Sequence, residues 1–556
     1  MVSIGLGERT QRWLSALPLL AFLGLFSLLP LAYLALYSWG HLGGVAGLWN
    51  ELWGPRFSSQ LARRALGNSL EQGILSAALA VLWGLPVGIF LGLRSTVGKR
   101  RLRAFLVLPF LLPSLVMVFG TLALFGDRGL LGSEIPLLRG LSSGLSGILF
   151  INVMYNAPIV ALYTAAALDG VPPYLEEAAR MLGASPFLAF RTAGLRPALS
   201  GAALGGTLTF LLSFLGFAPP LLVGGPSYYT LEDWIYALDK LVGFGGPALA
   251  AGLAVWALAI MALPIVGYML LLRGTNMLGR GPDVLAAPAR PGRRTSPASL
   301  FLGGATAALV VLEGLLLLSV FLLSLTWPGG APGWANWSAL LSTRAQVGLQ
   351  VSLGTVIFNT LFFACVSAAI VFAVGLPLYL PDRPPRGAWG ALSFLPLMIS
   401  PVILALGLSL AWGSSLGSDT TVWVLIVISQ ASVALPMALQ GLNLSFRSQR
   451  ASLVGAARTL GSSRLSAFSD IKLPLARPGV RAAALFALAV GLGEFAATNF
   501  LFVPQFTTLT VEMYLLPDLR MEGASFAVGA LLVVLSLGVF GLFAALQDRE
   551  GAYLGG

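Results

Sequence analysis

Three carboxylates stand in otherwise apolar stretches of this chain: Glu71, Glu313 and Glu494. An ionisable side chain in hydrocarbon costs several kcal/mol, so it is kept where it binds, relays or pairs. Glu71 lies near the end of its run and can reach interfacial water, while Glu313 needs a polar neighbour. Glu494, in GLGEFAATNF, is the best candidate for contact with something crossing the membrane. Other chemistries find little material. One cysteine, Cys365, can form no intramolecular disulfide, and one histidine, His41, excludes a histidine-rich metal cluster. There is no glycine-rich phosphate loop of the Walker type, no paired-carboxylate constellation and no convergent nucleophile. No catalytic residue, metal site or bound cofactor is expected.

The elements that must position these groups are membrane helices. Hydrophobic residues make up 57% of the 556 and charged residues 10%, a balance that requires lipid as solvent. The run from Trp13 to Tyr37 is too long for a cleavable signal and reads as a retained first span. Segments near the roughly 20 residues that cross hydrocarbon fall at 13–38, 69–93, 104–125, 143–168, 198–223 and 246–272, then at 299–326, 351–380, 388–413, 420–444, 479–503 and 524–546. The expectation is an all-α polytopic membrane protein of twelve transmembrane helices in two six-helix halves, 1–272 and 299–556. Six is even, so the halves share one orientation and are related by a pseudo-two-fold axis along the membrane normal. The segment 273–298, rich in Pro, Gly and Arg, reads as an exposed linker between them.

The halves also repeat in sequence. Pro172 to Gly201 is a polar, helical interlude between apolar runs, and Ser445 to Arg481 aligns with it at a shift of 278, half the chain. In each copy a short helix should run into a glycine, Gly183 or Gly461, and a second helix should start at a serine, Ser185 or Ser463. Small alanines on the first helix leave room for another protein to approach. Other landmarks recur: Asn68-Ser69-Leu70 with Asn359-Thr360-Leu361, Gly84-Leu85-Pro86 with Gly375-Leu376-Pro377, and Phe217, Pro226, Thr230, Leu231 and Tyr236 with Phe495, Pro504, Thr508, Leu509 and Tyr514.

Lys and Arg accumulate on the cytoplasmic side of membranes. Placing both termini, both repeated loops and the linker inside puts about three-quarters of the 33 basic residues there. Glu232, Asp233, Asp239, Glu512, Asp518 and Glu522 then lie outside. The basic balance reflects topology and lipid headgroups; no nucleic-acid motif is present.

The repeated interlude resembles the EAA loop of permease subunits of binding-protein-dependent ABC importers. Glu177, Ala178, Ala179 and Gly183 match its opening in the first copy, where the closing proline is displaced. Ala456, Ala457, Gly461, Ile471, Leu473 and Pro474 match in the second, where Gly455 replaces the glutamate. The resemblance implies a fused pair of permease halves whose loops, with Arg180 and Arg458 near their helix ends, are coupling helices. It implies two cytoplasmic ABC ATPase subunits as partners, which bind the ATP, and an extracytoplasmic solute-binding protein. It also implies a bacterial inner-membrane location, and it places Glu494 beside the translocation path. The two-by-six fusion is similar to the group serving thiamine, ferric iron and related solutes. Gly224, Gly225, Pro226, Thr230, Leu231, Glu232, Ile235 and Tyr236 look like a segment of the thiamine permeases. The expected solute is thiamine or a thiamine-like compound, with ferric iron the alternative. An ion-coupled secondary carrier is the rival from another class, although three scattered glutamates offer it little of an ion route.

Overall fold

A backbone in hydrocarbon has no hydrogen-bond partner but itself, so apolar runs of this length must be helical. The computed structural model describes residues 2–93, 99–226, 228–240, 246–274, 297–326, 332–341, 351–381, 396, 399–418, 420–447, 449 and 451–554. Among these the one extended pairing is a single bridge, Thr326 to Pro332. Among the described residues ten helices are long and apolar enough to span a membrane, and a bent pair makes an eleventh candidate.

The first half opens with α1 (Val2–Leu23), which passes through a π-turn, Gly24–Leu28, into α2 (Leu29–Leu42). Then come α3 (Gly44–Trp53) and α4 (Phe57–Leu93). The expected span 104–125 is the bent pair, α5 (Lys99–Leu111) and α6 (Ser114–Phe125), meeting at 97°. Pro113 sits at that corner because it supplies no N–H and disfavours helix before it. Helices α7 (Gly144–Asp169), α8 (Pro173–Met181), α9 (Pro186–Ala193) and α10 (Leu195–Phe214) follow. The expected span 198–223 is broken: α10 stops and α11 (Ala218–Val223) starts anew, before α12 (Leu231–Lys240) and α13 (Gly246–Gly274).

The second half has α14 (Pro297–Leu325), α15 (Ala335–Leu340), α16 (Leu353–Gly375) with a 3₁₀ turn Leu376–Tyr379, α17 (Pro401–Leu416) and α18 (Val422–Arg447). After α19 (Ala451–Thr459) and α20 (Arg464–Ala467) come α21 (Arg477–Gly493), α22 (Ala496–Phe500), α23 (Leu509–Leu515) and α24 (Glu522–Leu554). The break between α21 and α22 repeats the one between α10 and α11. Much of the expected span 388–413, with Arg383 and Arg386 before it, and most of the linker 273–298 lie outside the described residues.

Packing groups the chain into two compact units. One comprises Asn50–Ala237 and Trp256–Leu325, the other Met1–Trp49, Leu238–Val255 and Thr326–Gly556. The sequence halves are units of repetition, whereas packing joins α14 to α4 and α6, and α1 to α16. In the first unit α4, α7 and α10 form the core, and glycines set their spacing. A Cβ at Gly84 would lie 2.6 Å from the Ala157 carbonyl oxygen, and one at Gly88 2.7 Å from that of Ala161. From the other side, Gly205 would meet Val160 Cα at 2.6 Å. Small residues at four-residue spacing allow this approach in lipid. Gly88→Leu should therefore lower stability by about 3 kcal/mol, the upper end of overpacking. Gly67→Leu on the same helix, where a Cβ would meet nothing within 4 Å beyond the helix's own backbone, should be tolerated. Thermal melts of the two purified variants check the contrast.

Candidate functional site

Local sequence builds the two repeated loops to one plan. Gly183 has φ +85° and Gly461 φ +89°, so each first helix ends in a left-handed residue that glycine adopts without strain. The orphan carbonyls are satisfied identically: Ala184 N–H donates to Ala179 O at 3.1 Å and Gly183 N–H to Arg180 O at 3.0 Å, matched by Ser462 to Ala457 at 3.0 Å and Gly461 to Arg458 at 3.1 Å. Ser185 Oγ then accepts the Leu188 N–H at 3.3 Å, and Ser463 Oγ the Ser466 N–H at 3.1 Å. The geometry anticipated around Ser185 and Ser463 is present in both.

What the helix pairs present outward was not singled out in the sequence. Leu175 and Leu453 are 45% and 46% exposed, Leu182 and Leu460 90% and 89%, and Phe187 and Leu465 73% and 69%. All three pairs obey the shift of 278. Each loop thus displays the same three exposed apolar side chains, of the kind that partner proteins cover. Glu177, Ala178, Arg180 and Ala456 are exposed beside it, and Ala179, Ala457 and Pro474 are half-buried. The flanking charge differs. Glu176 and Glu177 have no acidic counterpart in α19, where half-buried Arg458 turns back to donate to Ser462 O at 3.1 Å. The second loop also carries a π-turn, Phe468–Lys472, that swings Lys472 into the interior.

Glu494 stands at the break between α21 and α22, and its carboxylate is occupied. Oε1 accepts the Ala497 N–H at 2.7 Å; Oε2 accepts the Thr498 N–H at 2.9 Å and the Thr498 hydroxyl at 2.6 Å. Thr510 Oγ1 donates to its main-chain carbonyl at 3.1 Å. It is a helix cap, 7% exposed. At the first break the same task is removed at source. Gly216 occupies the position of Glu494, and Pro219 and Pro220 those of Ala497 and Thr498, so the two amides that would need an acceptor do not exist. One break is capped by a carboxylate; at the other, prolines remove two of the amides such a carboxylate would hold.

Glu71 accepts a hydrogen bond from Tyr228 Oη at 3.3 Å. Glu313 is fully buried on α14 between Leu309 and Leu316, and its oxygens meet no hydrogen-bond donor among the described residues. Outside the spanning segments, burial pushes the Glu51 carboxyl up to about 8 and the Glu512 carboxyl up to about 7. Burial likewise carries Asp233 to about 7, against two bonds from Thr230 that lower it. Among the described residues no group of three His, Cys, Asp or Glu side chains could hold a metal ion.

The family model for the binding-protein-dependent transport system inner membrane component matches twice, over residues 84–269 and 366–551. The chain is 25% identical over 541 residues to the thiamine transport system permease protein of Haemophilus influenzae, covering 94% of this chain and 95% of that protein. It is 26% identical over 500 residues to the Salmonella typhimurium protein of the same name, covering 87% of each. A putative ferric transport system permease protein of Haemophilus influenzae is 24% identical over 461 residues, covering 79% of this chain and 70% of its own length. The doubled match falls once in each half, and each match contains one of the repeated loops.

Proposed function

The chain belongs to the family of binding-protein-dependent transport system inner membrane components, and we propose that it is the fused permease of an ATP-driven importer of thiamine or a thiamine-like solute. The observation that carries this reading is the duplicated loop: two helix pairs with the same left-handed glycine, serine cap and exposed apolar triad. A surface presented twice fits two ATPase subunits, which bind and hydrolyse ATP on the cytoplasmic side. The excess of basic residues in these loops supports that side for them and for both termini. An extracytoplasmic binding protein delivers the solute to the opposite face.

Closure of the ATPase pair on ATP displaces the coupling helices. The displacement passes into α10 and α21, the next long helices in the chain, and opens the path alternately to either side. Similarity to thiamine permeases along almost the whole chain favours that solute over ferric iron, whose permease is matched over less of both proteins.

The test is reconstitution of the chain with its ATPase and binding protein in liposomes, followed by uptake of labelled thiamine. Uptake that needs internal ATP and the binding protein supports the reading. Uptake of ferric iron instead would keep the mechanism and replace the solute. Transport by the chain alone on an ion gradient would make it a secondary carrier.

A further inference from the structure

The second helix of each repeat, α4 or α16, is tied by polar side chains near both ends, at one to the segment that follows the fifth helix and at the other to a segment flanking the repeated loop. At one end Asn68 Nδ2 donates to Tyr229 O at 2.9 Å, and Ser69 Oγ accepts the Leu231 N–H at 2.8 Å. In the second repeat Asn359 Nδ2 donates to Gln505 O at 3.0 Å and Thr507 O at 3.1 Å, and Thr360 Oγ1 accepts the Leu509 N–H at 2.9 Å. Thr507 and Leu509 are Tyr229 and Leu231 shifted by 278. The same two main-chain groups are thus held in both repeats, each time by an Asn followed by a hydroxyl residue.

At the other end a buried cation holds main-chain carbonyls, within the last turn of α4 in the first repeat and just beyond α16 in the second. Arg103, 2% exposed, donates to Leu91 O at 3.3 Å and pairs with Asp169 at 2.7 Å, at the end of α7 just before the first loop. Lys472, 3% exposed, donates to Tyr379 O and, at 2.7 Å, to Pro381 O from the exit of the second loop. These cations come from unrelated positions in the sequence, and Gly194 stands where Lys472 would fall in the first repeat. In both repeats a buried cation thus links the end of the second helix to a segment flanking the repeated loop, through Asp169 before it in the first and from Lys472 at its exit in the second. From Asn68 to Leu91 the helix rises about 35 Å, close to the bilayer thickness.

Resting on the transport reading above, we propose that α4 and α16 are struts that carry the displacement of each coupling loop to the extracytoplasmic segment after the broken fifth helix. Lys472 and Arg103 are the inner positioning residues; Asn359-Thr360 and Asn68-Ser69 are the outer ones. A tie of this kind, largely shielded from water, behaves as a rigid link, and removing one end should uncouple the motions while sparing the rest.

The experiment uses the reconstituted complex with thiamine as probe and measures ATP hydrolysed and solute taken up in the same liposomes. Lys472→Met should lower solute carried per ATP by about tenfold with hydrolysis kept within about twofold, and Lys472→Arg should restore the ratio. Thr360→Val, alike in shape but without the acceptor, should produce the same loss from the outer end, and it decides the matter if Lys472→Met cannot be purified. An unchanged ratio in Thr360→Val, or hydrolysis and uptake falling together, would overturn the strut. Wild-type liposomes that take up no thiamine or ferric iron on ATP would overturn the transport reading, and the strut with it.

Discussion

Glu494→Ala should cripple the protein, and adding Ala497→Pro and Thr498→Pro to that variant should rescue it. The alanine leaves two buried amides and the Thr498 hydroxyl without the acceptor seen at 2.6 to 2.9 Å. Each unsatisfied buried group costs about 1–3 kcal/mol, so about 3 kcal/mol or more should be lost overall. The prolines delete the amides instead of satisfying them, as Pro219 and Pro220 do at the first break. Recovery of at least about half the lost stability in a thermal melt of the triple variant would establish compensation. Uptake separates this role from solute contact. A cap alone predicts that the stable triple variant transports. A carboxylate that touches the solute predicts a stable triple variant that does not, and failure of the prolines to rescue stability would refute the cap.

That carboxylate shows where sequence reasoning stops. Read alone, Glu494 is a charge in an apolar run, and such charges are functional candidates. Its partners lie three and four residues on, within reach of a local reading, and the shift of 278 already set Gly216-x-x-Pro219-Pro220 against Glu494-x-x-Ala497-Thr498. The loop helices were legible because their ends are fixed locally by Gly183, Gly461, Ser185 and Ser463. The bonds between Asn68 and Tyr229 or Thr360 and Leu509 join residues more than 140 apart in sequence. Repetition marks such positions as notable without saying what they hold. Nor does a hydropathy pattern report that α14 packs against α4 and α6, since its apolar surface suits many neighbours equally.

Leu182→Asp and Leu460→Asp should each weaken ATPase docking by at least about thirtyfold, the loss expected of an interface residue contributing 2 kcal/mol or more. Both side chains are about nine-tenths exposed at the tip of their helix pair, so neither supports the fold. Aspartate there should leave the melting temperature of the isolated permease unchanged while removing co-purifying ATPase and uptake together. Glu177→Ala is the comparison that assigns the energy. Its counterpart Gly455 carries no charge, so if both loops dock through the shared triad, losing the glutamate should cost less than about threefold. If Glu177→Ala proved as damaging as Leu182→Asp, the two loops would engage their partners by different chemistry, and the asymmetry of charge would outweigh the symmetry of shape. If both leucine variants retained ATPase and transport, the exposed triads would not be the docking surface.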